Sequence, residues 1–137
     1  MAVFKKKPTM CIIHCSATKE GQDFDVNDID KWHKARGWSG VGYHIIIKLD
    51  GTVQHGRSLH HKGAHAKYFN HKSFGVCYIG GLDSNGKPKD TRTEAQKKSL
   101  IAVIDFFKKD YEGLTVHGHN EFSNKACPSF DVSKEFN

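Results

Sequence analysis

Apolar and polar positions fall in short blocks along this chain, and the spacing of each block predicts an element. Residues 9–15 are apolar up to His14 and read as a short buried strand. Val26, Ile29, Trp32 and His33 share one helical face, with Asp25 placed to cap the start and Gly37 the end. Residues 43–48 are Ile-rich and read as a strand. The Asp50-Gly51 step after them signals a hairpin into residues 52–54. Another strand is expected over 73–79, closed by Gly80-Gly81. Leu100, Ile104, Phe107 and Tyr111 mark a long amphipathic helix, with Thr91 and Glu94 spaced as a capping box. A last strand is expected over 114–119. Strands and helices interleave but one hairpin breaks the alternation, which predicts an α/β fold: a mixed central sheet flanked by helices.

Composition narrows the class. At 137 residues the chain is read as a single domain spanning 1–137. With 37% hydrophobic residues it can build a core without disulfide staples. The longest apolar run, from Leu100 to Ile104, is far too short for a membrane span. The first ten residues carry three lysines but no long apolar segment, so no signal peptide is expected. Four cysteines without a dense framework fit reduced thiols and cytoplasmic synthesis. The net charge of +6 favours an anionic partner, whether nucleic acid, membrane or cell-wall polymer.

Ten histidines are the unusual feature. On a strand, Thr115, His117 and His119 point one way while Leu114, Val116 and Gly118 point the other. Eight residues beyond His119 comes Cys127, and His14 closes the first strand. Imidazole and thiolate suit zinc, and a catalytic zinc keeps three protein ligands and one open position. His14, one of His117 or His119, and Cys127 would supply such a set. Spacing alone leaves the alternative of two exposed histidines and an inert buried cysteine. His55, His60, His61, His65 and His71, with Lys62, Lys67 and Lys72 among them, read as a wet basic groove wall. Trp32 and Trp38 read as core and helix-end packing, Glu121 as surface charge with support for a ligand as the alternative, and Cys15 as core, turned away from His14.

Five motifs in order carry more. His14-Cys15-Ser16-Ala17-Thr18, Gly42-Tyr43-His44, Gly63-Ala64-His65-Ala66, residues 70–76 (NHKSFGV) and residues 125–131 (KACPSFD) together resemble the zinc-dependent N-acetylmuramoyl-L-alanine amidases. The likeness is to the small phage lysozymes related to peptidoglycan recognition proteins, and it runs from about Met10 to Asp131. It implies a mixed sheet with helices packed on it, and one Zn2+ per chain held by His14, His119 and Cys127. It further implies catalytic roles for Tyr43 and Lys125 and, more weakly, a groove position for His65. The register of the family motif, with the ligand six residues before the lysine, selects His119 over His117.

The expected activity is hydrolysis of the amide between N-acetylmuramic acid and L-alanine in bacterial peptidoglycan. The expected enzyme is a monomer that neither inserts in a membrane nor binds nucleic acid. It would reach the wall through holin-like lesions. A non-catalytic wall-binding protein and a polymerase or nucleic-acid regulator with a structural zinc are the rival classes.

Overall fold

The apolar blocks fold as strands where their periodicity marks them. In the computed structural model, which describes residues 2–136, β1 (Met10–Cys15) is buried at every position. A two-residue strand, β2 (Thr18–Lys19), leads to α1 (Val26–Ala35). The Asp25 carboxylate accepts from the Asp28 N–H, and Asp28 accepts in turn from the Asp25 N–H, which satisfies the first turn of the helix. Gly37, at φ +88°, ends it as expected. β3 (Ile45–Ile47) begins two residues later than the sequence pattern suggests and pairs antiparallel with β4 (Val53–His55). Then follow β5 (Ser73–Tyr78), β6 (Gly81–Leu82), α2 (Glu94–Asp110), β7 (Thr115–Gly118) and α3 (Val132–Phe136).

The capping box of α2 differs from the expected pair. Thr93 Oγ1 accepts from the Gln96 N–H, and Gln96 Oε1 accepts from the Thr93 N–H, both at 3.0 Å. Thr91 Oγ1 instead accepts from the Gly81 N–H at 2.7 Å. Gln96 wins the role because its amide also reaches the sheet, donating to the carbonyls of Ile47 and Ile79. Glu94 stays in the first turn, where a negative charge suits the helix dipole.

The main sheet runs β4-β3-β5-β1-β7, with β3, β5, β1 and β7 parallel and β4 antiparallel at one edge. Alternation sends Cys11, Ile13 and Cys15 to one face, where they meet Leu100, Ile104 and Phe107 of α2 and Val132 of α3. Phe74 and Phe107 stack there with ring centroids 4.4 Å apart. On the opposite face α1 packs through Ile29 against Ile46 and Ile79. His14 belongs to that second face, at the carboxyl end of β1 between β5 and β7. In open α/β sheets this end is where sites form.

The C-terminal segment is tied back by Arg92, whose side chain is 2% exposed. Its guanidinium pairs with Asp90 at 2.9 Å and Glu135 at 2.6 Å, and lies 3.5 Å from the Phe130 ring centroid. The Tyr78 hydroxyl donates to the Pro128 carbonyl at 2.6 Å. All four cysteines are free thiols, with Cys11, Cys15 and Cys77 buried. No helix among the described residues is long and apolar enough to cross a membrane.

Candidate metal centre and active site

Two neighbouring parallel strands and one loop deliver the candidate ligands. His14 comes from β1. The strand β7 stops at Gly118, so His119 starts a 3-10 turn, His119–Glu121, instead of ending the strand. Glu121 holds this turn: its carboxylate accepts from the Gly118 N–H at 2.6 Å and contacts His117 Nδ1 at 3.0 Å. Glu121 therefore supports the turn that carries His119, the alternative to the surface charge expected from the sequence. His117, whose Nε2 also bonds Thr115 Oγ1, stays at the sheet edge and outside the cluster. Gly118 lets the loop come close. A Cβ there would lie 3.1 Å from Pro128 Cδ, beside Cys127.

His14, His119 and Cys127 each offer a ligand atom, all within 4.8 Å of one another. Cys127 Sγ lies 3.8 Å from His14 Nδ1. Donors bound tetrahedrally to zinc at 2.0–2.3 Å sit roughly 3.4–3.6 Å apart, so the set fits a zinc ion with small adjustments. Burial is the main influence on both imidazoles and lowers their pKa values; the Lys125 charge adds to it. Neutral rings are what a metal needs.

Tyr43 packs its ring on His14, with centroids 5.0 Å apart, and on His33, at 5.4 Å. Burial pushes its pKa well above the ordinary value, so it is a phenol at neutral pH. Gly42, next to it, donates its N–H to His33 Nδ1 at 2.9 Å, which anchors the tyrosine's backbone to α1. Lys125 is exposed on the loop two residues before Cys127. Together with Arg36, Trp38, His65 and Ala64 these groups line a cleft of about 190 Å³ over His14. A larger depression of about 580 Å³ lies between Pro88 and Phe130. Its carboxylates, Glu121 and Asp131, are already engaged with backbone and side-chain donors.

His65 lies in the cleft wall and bonds His14 directly, Nδ1 to Nε2 at 2.8 Å. Burial holds its pKa down at about 3. The other histidines of the His-rich stretch depart from the expected groove wall. His55, His60 and His71 are exposed away from the cleft, and His61 contributes its carbonyl to His44 Nε2 at 2.7 Å. Trp38 packs at the end of α1 as expected, its ring 4.6 Å from that of His33, and at 41% exposure it also borders the cleft. Cys15 packs into the α2 core as expected, although its N–H also meets Cys127 Sγ at 3.2 Å.

A family model described as N-acetylmuramoyl-L-alanine amidase matches residues 4–130. The endolysin of Escherichia phage T7 is 48% identical over 122 residues, covering 89% of this chain and 81% of that endolysin. The endolysin of Enterobacteria phage T3 is 46% identical over 133 residues, covering 96% and 88%. Among solved structures, the N-acetylmuramoyl-L-alanine amidase LysC from Clostridium intestinale superposes with a TM-score of 0.79. It is 30% identical, and the match covers 93% of this chain and 80% of LysC.

Proposed function

Because this chain belongs to the N-acetylmuramoyl-L-alanine amidase family, we propose that it lyses peptidoglycan as a zinc amidase, with His14, His119 and Cys127 as ligands and Tyr43 and Lys125 assisting. The observation that carries this reading is the convergence of two neutral imidazoles and one thiol at the floor of a basic cleft, with an open side toward solvent. Bound zinc would supply Lewis acidity at the scissile carbonyl and bring the pKa of a water to about 7.

The chain's own groups supply the rest. Lys125, a cation on the cleft rim, is placed to stabilise negative charge as it develops on the amide oxygen. Tyr43, kept protonated by burial, donates a hydrogen bond from the opposite element and holds a proton at its Oη for the departing amine. Arg36, Lys67 and Lys125 give the cleft and its continuation a positive lining, suited to the carboxylates of a wall stem peptide. The substrate is the muramic acid–alanine amide of bacterial wall, met by a monomer that reaches the wall through membrane lesions.

Mass spectrometry of muropeptides tests the reaction. Digestion should free intact stem peptides from glycan, and a chelator should stop it. Metal analysis should give about one zinc per chain in the wild type and strongly reduced zinc in Cys127→Ala. Glycan-chain cleavage, chelator-resistant turnover or undiminished zinc in that variant would refute the reading.

A further inference from the structure

A run of hydrogen bonds starts at the ring of His14 and ends on a backbone carbonyl. His14 Nε2 meets His65 Nδ1 at 2.8 Å, His65 Nε2 meets Ser73 Oγ at 3.4 Å, and Ser73 Oγ meets the Phe69 carbonyl at 2.7 Å. A carbonyl only accepts, so the Ser73 hydroxyl must spend its one proton there. Its oxygen can then only accept from His65, which puts the His65 proton on Nε2. The other nitrogen, Nδ1, is left with a lone pair and accepts from His14. The proton of His14 is thereby fixed on Nε2, and its Nδ1 lone pair faces Cys127 Sγ, 3.8 Å away. The reverse direction would ask Ser73 to abandon the shorter bond, at 2.7 Å, for the longer one, and would leave the Phe69 carbonyl with only the 3.2 Å bond from the Lys72 N–H.

The ring of His65 is held in the orientation this needs. It lies flat against β5 where there is no side chain: a Cβ on Gly75 would come within 2.6–2.8 Å of three of its ring atoms. A Cβ on Gly63 would come within 2.5 Å of its Cδ2. Asn70 Oδ1 accepts from the N–H groups of both His65 and Ala66 at 3.0 Å, which fixes the backbone that carries the ring. Ser73 is fully buried.

We infer that His65 is a positioning residue for the metal centre: with Ser73 and the Phe69 carbonyl it sets the tautomer of His14, presenting Nδ1 as a ready ligand. This rests on the reading of His14 as a metal ligand. It gives His65 a task that acts through another residue, distinct from contact with substrate in the groove. Partners that orient a ligating histidine typically change metal affinity by about 10–100-fold when removed.

Long-range 15N–1H NMR of the metal-free wild type at neutral pH reads the tautomers directly. Both His14 and His65 should carry their proton on Nε2, and Ser73→Ala should erode that preference at His65. Zinc affinity, measured by competition with a chromophoric chelator, should fall about 10–100-fold in His65→Leu. It should largely return in His65→Asn, whose side-chain oxygen can replace the lost acceptor. A wild-type His14 protonated on Nδ1 overturns the inference whatever the variants do, and so does wild-type zinc affinity in a folded His65→Leu chain. Failure of the amidase reading looks different: the tautomers stand as described while zinc or muropeptide cleavage is absent.

Discussion

Tyr43 and Lys125 line the cleft but are not among the proposed ligands His14, His119 and Cys127, so they allow catalysis to be separated from metal binding. Lys125→Ala and Tyr43→Phe should each keep the fold and about one zinc per chain while lowering amidase turnover by about 10²–10³-fold, the usual weight of an oxyanion-type contact. Near-wild-type turnover in both would reassign the roles. A second residue-scale consequence concerns His44, buried with Nδ1 accepting from the Gly75 N–H and Nε2 donating to the His61 carbonyl. Burial lowers its pKa from 6.5 to about 4. Between those values the unfolded chain binds more protons than the folded one. Stability is therefore full above about pH 6.5 and is lost progressively toward pH 4, by up to about 3 kcal/mol from this group. Denaturant titrations of metal-free protein at pH 7 and pH 5 should show the loss, and the slope should be shallower in His44→Gln. At this scale, residues inside compact motifs were legible: His14, Tyr43, Lys125 and Cys127 each stand in one, and His119 follows from its register six residues before Lys125. The bond from His65 to His14 was not. It depends on a slot at Gly75 and a hydroxyl on β5, brought together only by the parallel pairing of β1 with β5.

Element boundaries show where local chemistry leaves a choice that packing then makes. Thr91 with Glu94 and Thr93 with Gln96 both satisfy the capping pattern, and the bonds that the Gln96 amide donates to the Ile47 and Ile79 carbonyls select the second. Thr93→Ala should therefore cost about 1 kcal/mol or more in denaturant-unfolding free energy, and Glu94→Ala should cost only a few tenths. Equal losses would mean the cap is not where the geometry puts it. The strands of the main sheet were easier to read because their apolar runs are short and most end at glycine or aspartate, whereas the two-residue β2 and β6 have no run to read. The end of β7 was harder, since Gly118-His119 continues the alternation in sequence. The bond from Gly118 to Glu121 turns the chain one residue early, and this moves His119 off the strand and over His14, with ring centroids 4.6 Å apart.

For the whole molecule, the mixed sheet with helices on both faces follows from the interleaved pattern, and the net charge of +6 finds a local expression in Arg36, Lys67 and Lys125 around the cleft. The site itself is assembled from parts of unequal permanence. β1 is hydrogen-bonded on both sides, to β5 and β7, and is buried throughout, whereas residues 124–126 of the loop before Cys127 are exposed. Amides of a central strand exchange with solvent only when the whole domain opens, while surface loops open on their own. One proposed ligand thus belongs to the best-protected part of the protein and another directly follows an exposed loop, so a bound metal should act as a clasp between two cooperative units. Deuterium exchange with and without chelator should show the difference. Removing zinc should speed uptake across residues 119–131 and leave residues 10–15 nearly unchanged at short times; uniform acceleration of both would mean that the metal holds the entire domain together, not just its loop.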